Sequence, residues 1–296
     1  MHLGWAMKST LWKLTVIGML SGCVTQPIQS GSQASTTGDV PTQMEAPTQI
    51  ISEIRPILEM SEVPKWLTHL PTSFKTLLVF DIDDTLLTTP RFANGQRQFF
   101  GSDRWYLWQS DTSLSDHAAS ADQVPCLYDV IAMNYEVGTQ EPTEPHLAQT
   151  IAALPGDKLL LTSRNPDYRD ATERELKEAG FNLPIVQMLG NATDGKGFRT
   201  ENGTFATYIN GIYMTKGGNK GDMLLQLLSQ IGLDGYYDAV VLIDDSQNKL
   251  EDMQRVLLPK GISFYGLRYE GIKPYPVPNL TMSQLADARQ GWLRWK

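Results

Sequence analysis

Four short apolar runs, each cut off by polar residues, set the frame of this 296-residue chain. Thr76 to Phe80 (TLLVF) stops at Asp81, and Lys158 to Leu161 (KLLL) stops at Thr162-Ser163-Arg164. Ala239 to Ile243 (AVVLI) stops at Asp244-Asp245, and Ile262 to Leu267 (ISFYGL) stops at Arg268. Runs that are continuous rather than alternating fit strands covered on both faces, as in parallel sheets. Helical patterns lie between them. Thr143 reads as an N-cap ahead of Leu147, Ile151 and Leu154, spaced i, i+4, i+7 before Pro155-Gly156. A second helix is predicted over about Asp170 to Ala179 with Gly180 as its stop, and a third from near Gly221, carrying Leu224, Leu225, Leu227, Leu228 and Ile231. A fourth presents Leu250, Met253 and Leu257 on one face and halts at Pro259. The alternation predicts an α/β fold, a parallel sheet with helices on both faces. In such sheets ligands bind beyond the carboxyl ends of the strands, so the polar residues that end the runs are the candidate site.

The N-terminal part has a different character. Lys8 and Lys13 precede a short apolar stretch, Leu14 to Leu20, that leads into Leu20-Ser21-Gly22-Cys23. This is the pattern of a signal peptide, and it falls short of the about 20 apolar residues needed to span a bilayer. Leu20-Ser21-Gly22-Cys23 resembles the lipobox of bacterial lipoproteins, which implies acylation of Cys23 as the first mature residue and membrane attachment through that lipid. The alternative is an ordinary cleaved signal with a chance cysteine. Met7 competes with Met1 as the start. Val24, after the cysteine, points to the outer membrane within that resemblance. From residue 24 to about 50 the chain is rich in Gln, Thr, Ser and Pro and reads as a flexible tether.

Charge and cysteine usage narrow the field. A net charge of −8 without a long Lys/Arg run argues against a nucleic-acid surface. With 2 cysteines in all, Cys23 and Cys126, a disulfide-stapled scaffold is excluded. His69, His117 and His146 lack metal-ligand spacing. No pattern specifies an oligomeric state.

Asp81-Ile82-Asp83 places two carboxylates two residues apart directly after a buried strand. Phosphoryl transfer needs such a pair, one to attack phosphorus and one to protonate the leaving oxygen and then activate water. A turn or helix cap accounts equally well for the pair taken alone. The full segment LLVFDIDDTLL resembles the first motif of the haloacid dehalogenase (HAD) superfamily, a hydrophobic strand followed by Asp-x-Asp-x-Thr. The resemblance implies Asp81 as nucleophile, Asp83 as general acid/base with its backbone carbonyl reaching a metal, and Thr85 as a residue that sets the loop. Asp84 is expected to face solvent.

Three further segments match the later HAD motifs in order. KLLLTSRN supplies Thr162, whose hydroxyl would meet a phosphoryl oxygen, with Ser163 as the alternative if the strand ends one residue later; Arg164 could add charge near the phosphate but is expected rather as an exposed surface arginine. TKGGNKGDMLLQLL supplies Lys220, with Lys216 as competitor, near a helix start where backbone amides also favour an anion. Gly-Lys-Ser/Thr is absent, so the glycines do not form a P-loop. AVVLIDDSQNKLEDM supplies Asp244 and Asp245, which with Asp81 and Asp83 would hold Mg²⁺, a hard cation that takes oxygen ligands. Asp244 is the expected direct ligand, and Asp245 is expected to act through water or by orienting Lys220. The pair also reads as a helix cap.

The expected organisation is a signal peptide over 1–22, a tether over 23–50, a HAD-like core over 51–86 and 158–296, and a cap insertion over 87–157. Phe92, Phe99, Phe100, Trp105, Tyr106 and Trp108 in the insertion read mostly as its own core, and Trp105 and Trp108 stand out as candidates for contact with a ligand. A second insertion, Asn191 to Thr215, reads as a β-hairpin beside the core. IDDSQNKLEDM together with GLRYEG also resembles an uncharacterised family of secreted HAD-like bacterial proteins. Together these resemblances imply an exported Mg²⁺-dependent phosphomonoester hydrolase acting on a small phosphorylated substrate. The alternatives are a phosphotransferase, or a non-enzymatic HAD-like lipoprotein that binds a partner or metal.

Overall fold

Side chains of a strand alternate between the two faces of its sheet, so a strand with no polar position demands cover on both sides. The computed structural model describes residues 50–182, 184, 189–190, 196–199, 203, 205–272 and 280–294; the expected signal peptide, Cys23 and nearly all of the tether lie outside them. In chain order the elements are β1 (Ser52–Ile57), α1 (Val63–Leu67), β2 (Thr76–Phe80), β3 (Leu87–Thr88), α2 (Asp103–Ser110), α3 (Leu127–Val137), β4 (Glu141–Pro142), α4 (Leu147–Ala153) and β5 (Asp157–Thr162). They continue as α5 (Arg169–Glu178), β6 (Lys196–Arg199), β7 (Phe205–Ile209), β8 (Ile212–Met214), α6 (Lys220–Gln230), β9 (Ala239–Asp244), α7 (Gln247–Leu257), β10 (Ser263–Tyr269) and α8 (Met282–Leu293).

One sheet runs in the order β1-β10-β9-β2-β5-β8-β7-β6. The pairings from β1 to β8 are parallel, and β7 and β6 add an antiparallel edge. Leu78, Phe80, Leu160, Val241 and Ile243 face one side, where they meet Val63 of α1, Leu147 and Ile151 of α4 and Leu176 of α5. Their neighbours Leu77, Val79, Leu159, Leu161, Val240 and Leu242 face the other, against Leu224 and Leu227 of α6 and Leu250, Met253 and Leu257 of α7. Each such side chain contributes about 1.5 to 3 kcal/mol by leaving water, which is why these strands sit mid-sheet. The fold is α/β with helices on both faces.

Two local expectations change, and one strand is unforeseen. Thr143 does not cap α4, whose N-cap is His146 in the left-handed region (φ 59°); the Thr143 hydroxyl instead donates to the Thr85 carbonyl at 2.8 Å. The hairpin read as lying beside the core enters it, because β8 pairs in parallel with β5 (Leu160 with Ile212, Thr162 with Met214). Asn210 and Gly211 turn that hairpin with φ of 54° and 79°, the geometry of a tight primed turn. β1 is an added edge strand, a position that tolerates Pro56.

The insertion builds its own apolar cluster from Phe99, Phe100, Trp105, Trp108, Ala118, Val124 and Val130. Trp105 and Trp108 are 2% and 3% exposed, so both are interior packing of the insertion and neither offers a face to a ligand. The cluster is completed from far along the chain by Ala288 of α8, with Leu280, Leu285 and Trp292 packed against it. α8 therefore packs with the insertion, although it falls within the 158–296 segment expected to be core.

Candidate active site

β2 lies between β9 and β5, with Phe80 level with Ile243 on one side and Leu160 on the other. The next residue of each strand is therefore delivered to one edge of the sheet, bringing Asp81, Asp244 and the Leu161-Thr162 end together. The Asp81 N–H continues the ladder to the Ile243 carbonyl at 3.0 Å, which fixes the backbone from which its carboxylate emerges.

Lys220 opens α6, capped by Asn219, whose side chain accepts the N–H groups of Gly221 and Asp222. A Cβ on Gly221 would fall 2.8 Å from the Val256 side chain and 3.1 Å from the Met253 backbone; only glycine lets the helix start press against α7 and aim Lys220 inward. Its ammonium donates to Asp81 Oδ1 at 2.5 Å and to Asp244 Oδ2 at 2.6 Å, and the lysine is 1% exposed. Lys216 is exposed and left-handed (φ 51°). It serves the site through its backbone, because the N–H groups of Thr215, Lys216 and Gly217 tie down the carbonyls of Thr162, Arg164 and Ser163.

Asp81, Asp244 and Asp245 each offer a carboxylate oxygen, all within 4.8 Å of one another. With all three ionised, the carboxylates outweigh the one ammonium among them by two negative charges. Desolvation, with the charges of Asp244 and Asp83, pushes the Asp81 carboxyl up to about 7 against the pull of Lys220. Asp245 is exposed as a residue, but its carboxylate lies against the other two and is shifted in the same direction, by desolvation and by the charges of Asp81 and Asp244. Burial alone would depress Lys220, yet Asp244 and Asp81 raise it, so it stays cationic. An oxygen-only set with this imbalance suits a hard divalent cation. The residue that orients Lys220 is Asp244, not Asp245, which sits exposed at the rim. Asp244 Oδ1 also accepts the Ser246 N–H at 2.9 Å at the entry to α7.

Asp83 stands apart from this cluster. Its carboxylate turns to Arg164, which is not the surface residue expected but 4% exposed. Asp84 is partly buried rather than solvent-facing: it takes a left-handed φ of 54° and its carboxylate accepts the Thr88 hydroxyl at 2.7 Å. Its role is to hold the turn. Thr85 is fully buried and ties the loop to the third carboxylate through its hydroxyl, which accepts the Asp245 N–H at 3.1 Å. Thr162 is buried and its Oγ1 accepts the Arg164 N–H at 3.1 Å, whereas Ser163 Oγ is a buried hydroxyl with no partner among the described residues.

Residues 49–295 match the family described as "Protein of unknown function (DUF2608)". The chain belongs to the DUF2608 family. No curated protein matches this DUF2608 sequence. Among solved structures it is similar to a conserved haloacid dehalogenase-like protein of unknown function from Agrobacterium tumefaciens (16% identity, TM-score 0.39, covering 73% of this chain and 90% of that one). A second is a HAD family hydrolase from Deinococcus radiodurans with bound phosphate and sodium (16%, 0.37, 74% and 89%). A third is the class C acid phosphatase from Bacillus anthracis (13%, 0.35, 78% and 84%).

Arg164 stands in the KLLLTSRN segment but reads there as a surface residue, and three further side chains around the DUF2608 site have no motif to announce them: Glu175, Tyr135 and Asp103. Glu175 carries a legible signal, since it falls on the buried stripe of α5 with Ala171, Thr172 and Leu176. Asp103, from the first turn of α2, is raised to about 6 by desolvation of its carboxylate and by the charges of Asp84 and Asp83. Its only cue is membership of the insertion.

Proposed function

We propose that this protein is a Mg²⁺-dependent phosphomonoester hydrolase that works through an aspartyl-phosphate on Asp81. The observation that carries the reading is the Asp81–Lys220–Asp244 contact at the carboxyl end of the central strands, with Asp245 alongside. Asp81 attacks the phosphorus of a small phosphate ester, and Asp83 gives a proton to the departing oxygen. Asp83 then takes a proton from the water that hydrolyses the acyl phosphate and returns Asp81. Lys220 neutralises the nucleophile and the incoming anion, while the hydroxyls of Thr162 and Ser163 donate to the phosphoryl oxygens. Asp81, Asp244 and Asp245, with the Asp83 carbonyl, would hold Mg²⁺, which supplies countercharge to the phosphoryl group when bound. Protein spanning residues 24–296 is expected to hydrolyse an aryl phosphate only with Mg²⁺ present, and equal turnover by wild type and Asp81→Asn would sink the reading.

We further propose, from the Leu20-Ser21-Gly22-Cys23 resemblance alone, that the chain is exported and held at the outer membrane by acylation of Cys23. Incorporation of a labelled fatty acid into wild type and into Cys23→Ser tests this; equal labelling overturns it.

A further inference from the structure

Arg164 is buried, and all three of its guanidinium nitrogens are hydrogen-bonded. Its Nε lies 3.1 and 3.0 Å from the two Asp83 carboxylate oxygens, and Nη2 lies 2.7 Å from Asp83 Oδ1. Nη1 donates to Glu175 Oε2 at 2.7 Å and to the Thr172 hydroxyl at 3.0 Å. The Tyr135 ring, from the insertion, covers the guanidinium at 4.8 Å and stacks on Tyr168 at 4.5 Å. The Asp83 side chain remains 34% exposed, so the clamp leaves part of it open to a ligand.

The terminal torsion of an aspartate is soft, and an unclamped, partly exposed Asp83 would sample many orientations. A fork that chelates both oxygens removes that freedom, which a lysine ammonium cannot do. Glu175 completes the device. A carboxylate 1% exposed is costly to bury, and its charge partner here is Arg164, which it holds from the opposite edge. We propose that Arg164 is a positioning residue that fixes Asp83 for proton donation to the leaving group, with Glu175 fixing Arg164 in turn. The role rests on the phosphatase reading of Asp81 and Asp83. It also separates from a merely structural ion pair, because proton donation matters most where the leaving oxygen is strongly basic.

The test compares kcat/KM, which spans every step through leaving-group departure, on p-nitrophenyl phosphate and on glycerol 2-phosphate with Mg²⁺ present. Variants are Arg164→Gln combined with Glu175→Gln, which leaves no buried charge alone, and Arg164→Lys. The loss on the alkyl ester is expected to exceed the loss on the aryl ester by about tenfold or more, within the range that general acid catalysis supplies. Equal losses on both esters, or a larger loss on the aryl ester, overturn the positioning role while leaving the phosphatase reading intact. Wild type that cleaves the aryl ester and not the alkyl ester also overturns it, since Asp83 then protonates nothing. Wild type that cleaves neither ester overturns the phosphatase reading and this role with it. If the double variant does not fold, the same ratio measured on Arg164→Lys decides.

Discussion

The Thr85 hydroxyl accepts the Asp245 backbone N–H at 3.1 Å, joining the loop that carries the proposed nucleophile to the end of β9, where two of the three clustered carboxylates follow one another. Thr85→Val keeps the shape and removes the acceptor. Leaving that N–H unpaired should cost about 1 to 3 kcal/mol, and the spacing of Asp245 from Asp81 should loosen. Thermal melting should fall and the Mg²⁺ concentration for half-maximal turnover should rise several-fold, while Thr85→Ser stays near wild type. An unchanged Mg²⁺ requirement in Thr85→Val would show that the bond does not set the carboxylate spacing.

Stability without metal should depend on pH in a direction fixed by the shifts. Buried Asp81 is raised to about 7, against about 3.9 in an unfolded chain, and the exposed Asp245 shifts in the same direction. The folded state therefore holds protons that the unfolded state releases, and stability falls as pH rises through this window. In EDTA the melting temperature should drop between about pH 4 and pH 7. Added Mg²⁺ should raise it most at the alkaline end and flatten the slope, because binding favours the ionised carboxylates. A metal-free melting temperature that rises across the same range would contradict the cluster.

Lys220→Met strips the one ammonium from two buried carboxylates. Breaking a buried pair from one side costs about 3 to 5 kcal/mol, and losing a charge aimed at the phosphoryl group should lower kcat/KM by about a hundredfold or more. Adding Asp244→Asn to Lys220→Met should recover stability without recovering activity. Recovery of both would assign Lys220 a structural role only.

The core was legible because its physics is local. Continuous apolar runs such as TLLVF and AVVLI admit no solvent face, and the residues that end them, Asp81 and Asp244, meet because neighbouring parallel strands finish at one edge. What escaped is set by distance in the chain. Nothing near Arg164 reveals that Asp83, 81 residues away, and Glu175, 11 residues away, converge on it, so a lone arginine after a strand reads as a surface residue. β8 looked like half of a free hairpin because ATYINGIYM shows the turn, whereas its pairing with β5 depends on a crossover. Trp105 and Trp108 are equally compatible with a binding face and an interior one; the choice is made by α8, nearly 180 residues further on, which closes over the cluster they belong to.

That closure yields a last prediction at Gly291, inside α8. A Cβ there would lie 2.3 to 2.7 Å from three atoms of the Phe100 ring, and that ring is itself held against Trp105 with centroids 4.8 Å apart. Gly291→Ala gains about 1 kcal/mol in helix propensity, but forcing a methyl into a packed aromatic contact costs about 1 to 3 kcal/mol, and a rigid ring cannot swing aside as a flexible chain would. The net change should be destabilising and confined to the insertion and its closing helix. Amide hydrogen exchange should speed up in α2, α3 and α8 while β2, β5 and β9 keep their protection, the pattern of a unit that opens without the sheet. Uniform loss of protection across the sheet would instead make α8 and the insertion part of one cooperative core with the strands that carry Asp81 and Asp244.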